Sequence, residues 1–152
     1  MTTAMPPARF QHLVVGYDGS PPASRALDAA ARQLQGRPGR IDVVYVAHLS
    51  SLDMLSHGAI AEMEKNFDEI EQELRTQAAG QLRARGAAWE FERRQGIVVD
   101  ELIAAATAIG EAHPGEDVAI IVGSSSHATR RVLGSVAVAL ARHSPVPLII
   151  VP

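Results

Sequence analysis

Five short apolar runs, each separated from the next by a stretch with helical periodicity, constrain this chain more than any other feature. They are Leu13–Gly16, Ile41–His48, AAWEFERRQG from Ala87, VAIIVG from Val118, and LIIV between the last two prolines. Between the first two, SPPASRALDAAARQL puts Ala23, Leu27, Ala30 and Leu34 on one helical face, with Ser20 expected as the cap and Pro21 at the first helical position. From Ala59 to Arg85, Ile60, Met63, Phe67, Ile70, Leu74 and Ala78 recur at spacings of three and four, which predicts a long amphipathic helix. Asp100 is expected to open a third helix carrying Leu102, Ile103, Ala106 and Ile109, and a fourth should run from Ser135 to Arg142. The order β-α-β-α-β-α-β-α-β predicts an α/β fold, a doubly wound parallel sheet with right-handed crossovers. Trp89 and Phe91 alternate with Glu90 and Glu92, so the third strand suits a sheet edge.

At 152 residues the chain fits one domain, expected over 12–152 after a flexible N-terminal tail over 1–11. A formal charge of -3 gives no basic field for nucleic acid, and the local basic pairs are only Arg93/Arg94 and Arg130/Arg131. The absence of cysteine excludes disulfides and thiolate chemistry. No apolar stretch approaches the roughly 20 residues of a membrane span, so a cytoplasmic protein without a membrane partner is expected. Lys65 is the only lysine and lies in the long helical run, so no phosphate-loop lysine stands beside a glycine turn. The six histidines are scattered, and no dedicated metal site is expected.

Two glycine- and serine-rich turns follow apolar runs directly: LVVGYDGS at Leu13–Ser20 and IIVGSSS at Ile120–Ser126. Ligands of open α/β sheets bind where strand C-termini open into loops, and exposed N–H groups at such turns and helix starts favour a phosphate-bearing ligand. Asp18 either contacts a ribose or metal ion or shapes its own turn, and Gly16 and Gly19 either approach a ligand or only permit turn geometry. Gly123, Ser124, Ser125 and Ser126 offer N–H and hydroxyl donors, and Ser135 is expected to cap the last helix facing an anion. His127, Arg130 and Arg131 either bind phosphate or are solvated, and His48 and His57 either border a base or decorate the surface. GSSSH lacks the nucleophile elbow and no general base is evident, so no catalytic residue is assigned and turnover of a phosphate-bearing ligand, if any, should be slow.

Taken together, HLVVGYDGSPPASRALDAA, IDVVYVAH, RRQGIVVDELIAAA, VAIIVGSSS and RRVLGSVAVALARHSPVPLIIVP resemble the universal stress protein family over nearly the whole chain. The resemblance implies a five-stranded sheet of order 3-2-1-4-5 with helices on both faces, a homodimer paired through the last strand, and, in one branch, an adenine nucleotide between the first and fourth strands. Asp18, with Gly19 and Ser20 in its turn, matches the aspartate near the nucleotide. Val46 matches the position whose backbone meets adenine, and Gly134 with Ser135 match the phosphate-facing helix start. Against the ATP-binding motif of the family, Gly123 matches the first glycine, Ser126 stands where the second belongs, and His127–Leu133 make the loop two residues short.

Two functional classes follow. One is a dimeric regulator of the stress response that binds an adenine nucleotide, ATP with Mg²⁺. The other is a dimeric interaction module of the same fold that has lost nucleotide binding and acts through protein partners. A terminal strand at a sheet edge would also template pairing with a second chain through Leu148–Val151, independently of the resemblance.

Overall fold

A computed structural model describes residues 9–48, 57–124 and 134–152. Strands β1 (His12–Gly16), β2 (Arg40–Ala47), β3 (Ala88–Gln95), β4 (Val118–Gly123) and β5 (Leu148–Val151) alternate with helices α1 (Pro21–Leu34), α2 (His57–Leu82), α3 (Val98–Ala112) and α4 (Ser135–His143). All strand pairs are parallel, and the sheet order is β3-β2-β1-β4-β5.

The doubly wound architecture follows from side-chain alternation along the strands. Leu13, Val15, Ile41, Val43, Ala119 and Ile121 face Leu27, Leu34, Leu74 and Ala78 of α1 and α2. Their neighbours Val14, Val44, Ile120 and Val122 face Leu102, Ala106 and Leu140 of α3 and α4. Burial on both faces explains why β1 and β4 read as continuous apolar runs. β3 lies at one edge, and its half-buried Trp89 and Phe91 alternate with exposed Glu90 and Glu92. β5 forms the other edge, and its four residues are all half-buried.

Several local expectations require correction. α3 starts at Val98 with Ile97 as its cap, so Asp100 lies inside the first turn rather than opening the helix. An acidic first turn complements the helix dipole without supplying the cap. On α2, Ile60 and Ile70 are exposed, and the buried stripe is set by Leu74, Ala78 and Leu82. Only the C-terminal half of that helix is buried against the sheet face, and Met63 and Phe67 remain half-buried. Ahead of β1, Phe10 packs against the core and the N–H of Gln11 donates to the carbonyl of Asp117. Among the described residues no helix is long and apolar enough to cross a membrane.

Candidate functional site

The order β3-β2-β1-β4-β5 makes β1 and β4 the strands from which the chain winds away in opposite directions. Loops leaving the C-terminal ends of such strands diverge and leave a crevice between them. A cavity of about 350 Å³ lies there, bounded by Gly16, Tyr17, Asp18 and Ser20 after β1, Val44 and Val46 of β2, and Val122 and Gly123 of β4. Val98 and Leu102 of α3 and Gly134, Ser135, Val136 and Ala137 at the start of α4 close the remaining sides.

The β1 turn is built by local bonds. The N–H of Tyr17 donates to the carbonyl of Val44 at 2.9 Å, extending the β1–β2 pairing one residue beyond the strand. Asp18 Oδ1 accepts from the N–H of Ser20 at 2.9 Å, so this carboxylate shapes the turn while remaining exposed at the cavity. Gly19 adopts φ +78°, and a Cβ there would lie 2.6 Å from Leu74 Cδ2, so the residue is fixed by the turn and by the approach of α2. Ser20 caps α1, its hydroxyl accepting from the N–H of Ala23. Burial, then the Asp18 charge, pushes the Tyr17 phenol above its ordinary pKa and keeps it neutral.

The β4 turn is positioned by an approach of backbone to backbone. A Cβ on Gly123 would lie 2.0 Å from the carbonyl oxygen of Pro22, so only glycine lets β4 pass this close to the first turn of α1. Ser124 is held from two sides: its N–H donates to the carbonyl of Val151, and its own carbonyl accepts from Arg25 Nη2 at 3.0 Å. Arg25 is a positioning residue that the spacing of its sequence neighbours does not reveal.

α4 begins differently from α1. Its N-cap is Gly134, which has no side chain to satisfy the first-turn N–H groups, and Ser135 is the first helical residue. The expected capping role of Ser135 is therefore corrected. A helix start without a side-chain cap leaves N–H donors and the positive end of the dipole available to an anion, and this one lines the cavity.

Of the expected site residues, Asp18, Ser20, Val46, Gly123, Gly134 and Ser135 meet around one cavity, whereas Gly19 and Ser124 adjoin it without lining it. Ser125, Ser126, His127, Arg130 and Arg131 lie outside the described residues. His48 does not line the cavity; its Nδ1 lies 3.3 Å from the carbonyl of Gly96. Sequence reasoning missed Val44, Val98, Leu102, Val122, Val136 and Ala137, the apolar walls. Strand alternation holds a partial signal for them, because Val44 and Val46 point to one face, but the helix contribution depends on tertiary placement.

Chemically, the cavity joins a mostly apolar wall to a cluster of N–H donors, with Asp18 the only charged side chain among the described lining residues. Its volume lies at the lower end of the roughly 300–1,000 Å³ typical of small-molecule sites. An apolar, planar group suits the valine and leucine walls, and an anionic group suits the start of α4.

Fold and cavity together define a doubly wound α/β protein with a cavity at the switch in strand order. A sequence model of the universal stress protein family matches residues 9–152, and the chain belongs to that family. Protein MJ0577 is similar in structure, with a TM-score of 0.76 at 19% identity, over 93% of this chain and 95% of its own. A universal stress protein in complex with cAMP is 26% identical, with a TM-score of 0.65 over 93% of this chain and 96% of its own. The universal stress protein from Archaeoglobus fulgidus in complex with dAMP is 21% identical, with a TM-score of 0.62 over 95% of this chain and 99% of its own. Comparison with curated proteins gives no match.

Proposed function

We propose that this protein binds an adenine nucleotide, ATP with Mg²⁺, in the crevice between β1 and β4 and acts as a dimeric regulator of the stress response. The observation that carries the reading is the uncapped start of α4 facing an apolar cavity at the switch in strand order. The base would rest among Val44, Val46, Val98 and Leu102, with the Val46 backbone toward adenine. The phosphates would meet the N–H groups of α4 from Ser135 onward, and Gly123 would let the chain pass close by. Two structures of this family hold cAMP and dAMP, which supports an adenine ligand here.

Charge supports the metal ion as companion. The described cavity lining contains no lysine or arginine, and the Asp18 carboxylate would repel a triphosphate. A Mg²⁺ ion bound by Asp18 and phosphate oxygens would neutralise both, as this hard cation does with one or two carboxylates. Arg130 and Arg131, outside the described residues, are the charged candidates in the segment that follows Ser126.

Native mass spectrometry of the chain with and without Mg-ATP tests this reading. One adenine nucleotide per chain is expected. A bare protein at millimolar Mg-ATP would reject it and favour the interaction module, for which Ser126 in place of glycine is the sequence argument.

Dimer formation is proposed through β5. Its outer edge offers N–H and C=O groups, and its four side chains are only half-buried in a single chain. An antiparallel pairing of Leu148–Val151 with a second copy would satisfy both. Ile149→Asp is expected to sediment as a monomer, because pairing would bury its charge. A wild-type dimer mass for that variant would reject the interface.

A further inference from the structure

At the opposite end of the sheet, three potential metal ligands converge that lie far apart in sequence. β1 pairs with β4 in the register His12↔Val118, which brings His12 beside the turn containing Glu116. His113 ends α3 three residues earlier, and its ring lies 4.5 Å from that of His12, centroid to centroid. His12 Nε2 contacts Glu116 Oε2 directly, and His113 Nδ1 lies 3.6 Å from the same oxygen. One ligand atom from each of the three residues lies within 4.8 Å of the others.

We propose that His12, His113 and Glu116 form a binding site for a divalent transition-metal ion of the zinc class. Two imidazoles and one carboxylate are a recognised zinc donor set, leaving a fourth position to water. Ligand atoms around a tetrahedral zinc lie about 3.3 Å apart, from Zn–N and Zn–O lengths near 2.0–2.1 Å. The His113–Glu116 separation is already close to that value. The His12–Glu116 contact must open slightly, which the half-exposed Glu116 side chain, at 46% exposure, permits.

Burial supplies the independent observation. The His12 side chain is only 6% exposed, and its Nδ1 is buried without a hydrogen-bond partner. A buried imidazole left half-satisfied is costly as a purely structural group. Metal at Nε2 would take the place of the Glu116 contact at that atom and fix the proton on Nδ1, near the buried, Arg40-paired Asp42 carboxylate that interacts electrostatically with His12 and whose Oδ2 also lacks a hydrogen-bond partner. The ion would tie the first strand to the α3–β4 connection, a link between residues about a hundred positions apart in the chain. Local sequence shows none of this, because His12, the buried member of the trio, is brought in by β1 from about a hundred residues away.

The test is isothermal titration of the tag-free, metal-stripped chain with zinc sulfate, followed by thermal melts with and without zinc. One zinc per chain and a raised melting temperature are expected. His113→Ala and Glu116→Gln should each weaken zinc binding by about tenfold or more, while His48→Ala, at the other end of the sheet, leaves it unchanged. Both altered side chains are on the surface, so circular dichroism should report a native fold for each. Absence of saturable zinc binding by the unaltered chain would overturn the proposal, as would wild-type affinity in His113→Ala and Glu116→Gln.

Discussion

Gly123→Ala should lower the thermal midpoint by about 6–12 °C, corresponding to about 3 kcal/mol or more in a domain of this size. The added Cβ would lie 2.0 Å from the Pro22 carbonyl oxygen, 2.4 Å from its carbonyl carbon and 2.7 Å from its Cα. All three are backbone atoms in the first turn of α1, so no side-chain rotation relieves the overlap. Either α1 slides along the sheet, disturbing Ala23, Ala26 and Leu27 in the core, or the end of β4 moves away from β1. Gly80→Ala is the matched control, because a Cβ there meets nothing within 4 Å inside α2. That change should stabilise by a few tenths to about 1 kcal/mol through helix propensity alone. Equal midpoints for Gly123→Ala and the unaltered chain, measured by calorimetry, would show that β4 does not depend on this close approach.

Gly134→Val should reduce nucleotide affinity by about tenfold or more, the scale of losing charge-assisted donors to an anion, without unfolding the protein. Gly134 sits at φ -62° and ψ 160°, extended backbone open to any residue, so glycine is not demanded by conformation. What distinguishes the position is its place on the cavity wall at the start of α4. A branched side chain there would occupy the path to the helix N–H groups. Gly134→Ser separates the two effects: a serine hydroxyl would cap the N–H of Val136 or Ala137, adding a few tenths of a kcal/mol while withdrawing a donor from phosphate. The serine variant is expected to melt slightly higher and bind more weakly. If both variants bind Mg-ATP as the unaltered chain does, the phosphates do not lie at α4.

The parts of the fold legible in sequence were those governed by periodicity. Trp89 and Phe91 against Glu90 and Glu92 marked β3 as an edge, and the edge position holds. The apolar β4 run is legible as a strand, and Val118–Val122 are buried, with Ala119 and Ile121 on one face and Val118, Ile120 and Val122 on the other. Failures arose where tertiary placement overrides local chemistry. Ile60 and Ile70 keep helical spacing yet remain exposed, because burial on α2 begins only near its middle. Asp100 and Ser135 have the composition of caps, but Ile97 and Gly134 hold those positions.

The candidate site was half visible for the same reason. Asp18 and the two glycine turns follow apolar runs directly, so their meeting is a consequence of strand order. Leu102 and Val98 reach the cavity from α3, and no local signal relates them to Val46 or Gly134. The constraint on Gly123 is equally hidden, since it arises from the Pro22 backbone about a hundred residues earlier. Arg25 illustrates the point once more: its bond to the Ser124 carbonyl fixes the β4 turn from a helix position outside the apolar stripe of Ala23, Leu27, Ala30 and Leu34.

A ¹H–¹⁵N NMR titration with Mg-ATP tests the central claim most directly, because it reports both occupancy and place. The account predicts saturable shifts at the amides of Gly16–Ser20, Val46, Gly123, and Ser135–Ala137, with one nucleotide per chain. No shift at millimolar nucleotide, or shifts confined to residues away from the crevice between β1 and β4, would contradict it.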